Sequence, residues 1–169
     1  MSSSWIEDDN LSNRLYFKSP FLRFWFGFVA PLFKGIKEGD FDEVKERFDK
    51  RFADFKNLIF IELSKELLKY TFKDDFLSDV RTYWDKNIEL DIIAKTKSKK
   101  LIVVSCRYSN SKVKKSELNA LKEKCKLSHI KPDIFVIISK KGFSSELKAL
   151  KGEDLKLLTI KGFKSLVEI

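Results

Sequence analysis

A change of hydrophobic period halfway along the chain limits the fold more than any other feature. Phe41, Val44, Phe48, Phe52 and Phe55 recur at steps of three and four, the spacing that places side chains on one face of a helix. Phe60, Leu63, Leu67 and Tyr70 continue in the same way. Beyond them the step falls to two. Val80, Thr82 and Trp84 alternate with polar neighbours, then Ile88, Leu90 and Ile92, as in strands with one buried face. Leu101 to Cys106 is an unbroken apolar run, expected of a strand buried on both faces. A chain of this pattern must pack helices onto a sheet.

Local signals divide the two halves. Ser19-Pro20 predicts an N-cap with proline in the first turn of a helix over FLRFWFGFVAPLF, which Pro31 should kink or end. Gly39-Asp40 opens a second helix, with Asp40 and Glu43 at capping-box spacing. A third helix is expected from about Asn57 to Tyr70. After the strands, Val113, Leu118, Leu121 and Cys125 mark an amphipathic helix with lysines opposite. DIFVIIS, from Asp133, reads as a buried strand, parallel to its neighbour because a crossover helix precedes it. LKLLTI, from Leu155, supplies a last short strand, and a terminal helix follows Gly162. Residues 1–56 therefore read as an N-terminal helical region and 57–169 as an α/β core.

The 169 residues are 43% hydrophobic and 35% charged, enough for a core and a solvated surface. Sixteen Phe and three Trp are many for this length, so some rings are expected to meet a partner, including a second copy through the Phe-rich N-terminal helices. Two cysteines, Cys106 and Cys125, give no disulfide or metal framework and fit a reducing compartment. The start, MSSSWIEDDN, lacks the basic and apolar blocks of a secretion signal. PFLRFWFGFVAPLF is too short to span a bilayer and carries Arg23. A cytoplasmic protein without a membrane partner is the expectation. His129 is the single histidine, so histidine-based metal sites are excluded and a His triad would rest on it alone. No P-loop and no dinucleotide fingerprint occur.

Charge is concentrated. Residues 95 to 131 hold twelve Lys or Arg against two Glu, a net of +10 within a chain of +9. Such a region attracts phosphate backbones or an acidic partner. Lys97, Lys99, Lys100, Arg107, Lys112, Lys114 and Lys115 are the candidate nucleic-acid contacts. The carboxylates carry the other signal. Glu89 and Asp91 lie two apart in a strand, so alternation puts both on one face. Two charges on a covered sheet face need an offsetting cation. A Mg²⁺ ion supplies one solution, and pairing of Asp91 with a lysine or Arg107 supplies another.

The segments SPFLRFWFGFV from Ser19, IELDIIA from Ile88, LIVVSCRYS from Leu101 and SELNALKEKC from Ser116 resemble the uncharacterised C-terminal domain of archaeal-type P-loop ATPases. That domain lies within the PD-(D/E)xK nuclease-like superfamily. The resemblance runs from about Arg14 to Asp133. It implies a restriction-endonuclease-like αβββαβ core, a P-loop ATPase as partner, and a metal held by Asp91 with a following Glu-x-Lys. Here Ser105 and Arg107 stand at the expected Glu and Lys. Serine supplies no anionic ligand, and arginine stays protonated with a fixed fork. The expected helix glutamate falls on Ile61, with Glu62 adjacent. Asp91 is the clear match.

Three readings follow. The first is a non-catalytic nuclease-like domain that binds nucleic acid or an ATPase partner, with no cofactor. The second is a Mg²⁺-dependent nuclease whose centre is rearranged around Glu62 or Glu66, Glu89 and Asp91. The third is a protein-interaction or dimerisation module. The first reading further expects Arg107 to bond Asp91 across neighbouring strands and fill the old metal site.

Overall fold

The computed structural model describes Phe17 and residues 19–86 and 88–166. They divide into two compact units, one up to Phe60 and one from Ile61 onward.

In the first unit, α1 (Pro20–Phe24) starts as its sequence dictates: the Ser19 hydroxyl accepts the Leu22 N–H at 3.4 Å, and Pro20 occupies the first turn. The helix does not simply kink at Pro31. It passes through a π turn at Trp25–Val29 and a 3₁₀ turn at Ala30–Leu32 before α2 (Phe33–Glu38). Proline lacks the N–H that an α-turn needs and its ring crowds the preceding turn, so irregular turns absorb it. Gly39, at φ +80°, ends α2 in the left-handed conformation. Asp40 then accepts the Asp42 N–H at 3.1 Å and opens α3 (Asp42–Thr71). The two expected helices are therefore one helix of 30 residues. No Gly or Pro lies between Phe55 and Phe60, and Asn57 is tolerated inside. Phe28 and Phe60 are the buried rings among the described residues of this unit, and Phe28 has Phe48, Phe55 and Phe52 at 5.6, 5.7 and 6.2 Å. Phe41 lies outside this cluster and is exposed.

The second unit is a five-stranded sheet of order β1-β2-β3-β4-β5, from β1 (Leu77–Trp84), β2 (Glu89–Thr96), β3 (Leu101–Arg107), β4 (Ile134–Ser139) and β5 (Leu155–Thr159). The first three strands are antiparallel, and β3, β4 and β5 run parallel. Between β3 and β4 lies α4 (Lys115–Leu127), and between β4 and β5 the short α5 (Ser145–Ala149), which the sequence pattern did not reveal. Val113 precedes α4 and instead pairs with Phe143 in an isolated bridge. The last segment, Ile160–Leu166, is 3₁₀ and begins two residues before Gly162.

One sheet face packs on α4, through Leu90, Ile93 and Val103 against Leu121 and Cys125 of that helix and Ile130 just beyond it. On β3, Ser105 and Arg107 share the parity of Val103 and face that way, whereas Cys106 faces the opposite side and bonds the Ser64 hydroxyl of α3. The α3 residues buried within this unit are Ile61, Ser64, Leu67 and Leu68. Leu63 and Tyr70, expected on that face, are exposed. The stripe is rotated because its centre is a serine, which apolar counting passes over.

Candidate functional site

The site begins with an irregularity in β2. Arg81 pairs with Ile93 but Tyr83 with Leu90, so β2 carries one extra residue between those rungs. Such a β-bulge reverses the side-chain alternation beyond it. Leu90 and Ile93, three apart, consequently point into the same cluster. Strict alternation therefore fails at the carboxylates: Asp91 sits in the bulge. Pairing of β2 with β3 stops at Ile92 and Val104. The next rung is made by a side chain, with Asp91 Oδ2 accepting the Cys106 N–H at 2.7 Å.

Into this opening projects Arg107. Its Nη1 lies 3.7 Å from Asp91 Oδ2 and its Nη2 donates to Glu117 Oε1 at 2.6 Å. Glu117, in the first turn of α4, also accepts from the Ser105 hydroxyl at 2.8 Å. Ser105 is 2% exposed and Arg107 36%. Ser105, Arg107, Glu117 and Asp91 thus form one cluster: Ser105 and Arg107 hold Glu117, while Arg107 also faces Asp91. Glu117 was missed in the sequence because an acidic residue on a lysine-rich helix reads as solvated. Two signals could have found it, namely its place within the SELNAL segment and the shared parity of Ser105 and Arg107.

Electrostatics follow from burial and pairing. Burial pushes the Asp91 carboxyl above the usual range, against the Cys106 N–H and the Arg107 charge. Burial acts in the same sense on Glu117, but hydrogen bonds from Arg107 and Ser105 outweigh it and hold that carboxyl below its usual range. Burial also opposes the charge on Arg107; the bond to Glu117 prevails and raises its pKa. The guanidinium is fixed as a cation between two carboxylates.

The other candidates are dispersed. Glu62, on α3, pairs with Lys65 at 3.0 Å, and Glu66 with Lys69 at 2.8 Å. Glu89 is exposed, and Lys124 binds its backbone carbonyl at 3.0 Å. The charges acting on Asp91 are those of Arg107, Lys124 and Glu117. Among the described residues, no three acidic, cysteine or histidine side chains gather to hold a metal ion. A divalent ion held by carboxylates needs free oxygen donors. Here Arg107 takes the space between Asp91 and Glu117, the backbone takes one Asp91 oxygen, and the Ser105 proton points at Glu117. These residues do not fit Mg²⁺.

The lysines fall at two ends. Lys97, Lys99 and Lys100 lie in the β2–β3 turn, roughly 17 Å along the strand from Asp91 at about 3.3 Å per residue. Lys112, Lys114 and Lys115 lie at the Arg107 end, where Lys115 pairs with Glu146 at 3.4 Å. No described helix is long and apolar enough to cross a membrane.

Helix, three antiparallel strands, crossover helix and parallel strands, with an aspartate at the splayed end of the second strand, define a mixed α/β domain. The residue cluster at its opening is ionic and self-satisfied. The chain belongs to the family DUF234, described as archaea bacterial proteins of unknown function, which matches residues 25–120. Among solved structures it resembles the protein of unknown function AF1548, with a TM-score of 0.46 and 17% identity over 62% of this chain and 59% of that one. A repair endonuclease from Pyrococcus abyssi matches at a TM-score of 0.34 and 11% identity, over 48% of this chain and 38% of that one. The chain thus spans less than two thirds of either structure. No curated protein matches.

Proposed function

We propose that this chain is a nuclease-like domain kept for binding rather than turnover, with nucleic acid or a P-loop ATPase as its partner. The observation that supports this reading is the Arg107 guanidinium lying between Asp91 and Glu117. Metal-assisted hydrolysis requires a Lewis acid with open positions and a polarised water. A permanently charged arginine offers neither, and it neutralises the carboxylates that would recruit an ion. The test is incubation of labelled single- and double-stranded DNA and RNA with the protein in Mg²⁺ or Mn²⁺, beside Asp91→Ala. No cleavage by either protein is expected. Cleavage that needs the metal and disappears in Asp91→Ala overturns the proposal.

A second reading, association through the N-terminal helices, is favoured by Phe21, Phe26 and Phe33, which are 66%, 49% and 55% exposed. Exposed aromatic area of this kind is costly in water and typical of interfaces. Sedimentation of the wild type beside Phe21→Ser/Phe26→Ser tests it. A wild type that stays monomeric at high concentration, and that does not capture a P-loop ATPase from its own cell, counts against it.

A further inference from the structure

Residues 19–33 open the first unit with a helical segment that is apolar on every side, Arg23 being its single charge. One side meets α3: Phe28 is buried, and Phe24 lies 5.8 Å from Phe55. A helix that is apolar all round belongs in an interior. Yet Phe17, Phe21, Trp25, Phe26 and Phe33 are 36–66% exposed. At about 150–250 Å² for each side chain, roughly 500 Å² of aromatic surface stands in water. A standard interface covers about 800 Å² per partner, a little over half of it apolar. The rings of one copy thus furnish the apolar part of one side of such an interface.

Beside these rings lies a hollow of their own size. Phe17, Gly27, Phe28, Phe55 and Leu58 line about 240 Å³, and roughly 150 Å³ of apolar space is enough to take up benzene. Gly27 keeps the hollow open, since no atom lies within 4 Å of the place its Cβ would occupy. The backbone there is held. Pro31, four residues on, has no N–H for the Gly27 carbonyl, and the Arg47 Nε of α3 donates to it instead at 2.7 Å. Phe26 does not fill the hollow of its own chain. Its half-exposed ring stacks on Phe17, with centroids 4.7 Å apart. Phe17 is therefore shared by a knob and a hole that are neighbours on one surface. Arg23, Arg51 and Asp54 add charges of both signs to the lining, so an uncharged ring suits it better than an anion or a cation.

We propose that this surface pairs with a second copy of the chain, Phe26 of each copy entering the hollow beside Gly27 of the other. It rests on the reading of association through the N-terminal helices and names the partner. A knob and a hole on one patch are complementary to the same patch turned about a two-fold axis, so one contact made twice closes a dimer. A different partner would need only the exposed rings. A second copy also accounts for the ring-sized gap that adjoins them.

The test is sedimentation velocity of the full chain over a wide concentration range, beside Phe26→Ala, which removes the knob, Gly27→Leu, which fills the hole, and a mixture of the two variants. Gly27→Leu is the sharper of them. Leucine favours a helix over glycine and adds apolar surface, so general stickiness of the rings would be kept or increased, whereas the paired surface is blocked. The wild type should be a dimer. Each variant alone loses both knob–hole contacts, and its dissociation constant should rise at least roughly 100-fold, as for two hot-spot side chains. In the mixture, Phe26 of the Gly27→Leu chain meets the open hollow of the Phe26→Ala chain. One contact returns, and the mixed pair should be at least roughly tenfold tighter than either variant alone. Circular dichroism checks that each variant stays folded. A wild type that is monomeric at every concentration overturns the proposal, whether or not a P-loop ATPase is captured. Gly27→Leu that dimerises like the wild type, or a mixture no tighter than its components, overturns it too; association through the exposed rings then still stands if Phe21→Ser/Phe26→Ser is monomeric.

Discussion

Arg107→Ala is the most informative substitution, because it leaves Asp91 and Glu117 facing one another without their shared cation. The 2.6 Å bond to Glu117 is charge-assisted, a class worth about 1.5–3 kcal/mol. The 3.7 Å pairing with Asp91 is longer and adds less. Breaking a fully buried pair costs about 3–5 kcal/mol, but Arg107 is 36% exposed, so water replaces part of what is lost. A loss of about 2 kcal/mol at pH 7 is expected, read as a shift in urea midpoint at unchanged slope. The sign of its pH dependence follows from both acids. Glu117 is held below its usual range, so its stabilising share is present above the unfolded pKa of about 4.3 and lost as pH falls through the lower folded value. Asp91 is raised, so its share is present in acid and lost as pH rises through the folded value. Removing Arg107 raises both carboxyls and penalises the variant at neutral pH. The gap from wild type should therefore be widest near pH 7 and narrow below about pH 4. Adding Glu117→Gln should restore about 1 kcal/mol. A gap independent of pH, or strictly additive single substitutions, refutes the coupled cluster.

Two further outcomes test parts of the same site. Asp91→Asn keeps an acceptor for the Cys106 N–H and removes a charge that burial disfavours, so it should cost less than about 1 kcal/mol, whereas Asp91→Ala orphans that N–H at about 1–3 kcal/mol; equal urea midpoints for the two variants would falsify the rung assignment. Burial raises both thiols, Cys125 to about 11 and Cys106 further, so neither should alkylate with iodoacetamide at about pH 8 until urea unfolds the protein. Mass spectrometry showing native labelling of Cys106 contradicts the burial of β3.

The sequence was readable where one local rule acted alone. Ser19-Pro20 capped α1, the apolar run from Leu101 gave β3, and the crossover rule made β4 parallel. It misled where a second element intervened. Alternation through Ile88, Leu90 and Ile92 gave no sign of an extra residue in β2, because a bulge is set by the partner strand. The helix stripe was misplaced by one face because Ser64, bonded to Cys106, occupies its centre. The pairing of Arg107 with Asp91 was foreseen from strand adjacency, but the shorter bond runs to Glu117 on α4. Side-chain parity locates residues on a face; the partner above that face comes from packing.

The bulge in β2 and the arginine in β3 belong to one arrangement. When two strands part, their facing N–H and C=O groups lose partners and must be satisfied some other way. In this chain Asp91 repairs the first broken rung at Cys106, and that use removes one oxygen from any metal. Its remaining charge is partly buried, and Arg107 offsets both it and the like charge of Glu117. The double substitution Ser105→Glu/Arg107→Lys therefore does not by itself create a metal centre. Asp91 stays bonded to the backbone, and the carboxylate introduced by Ser105→Glu would meet Glu117 where the serine hydroxyl now donates. A carboxylate at position 105 and Glu117 exclude one another, and introducing the first without removing the second leaves like charges in contact.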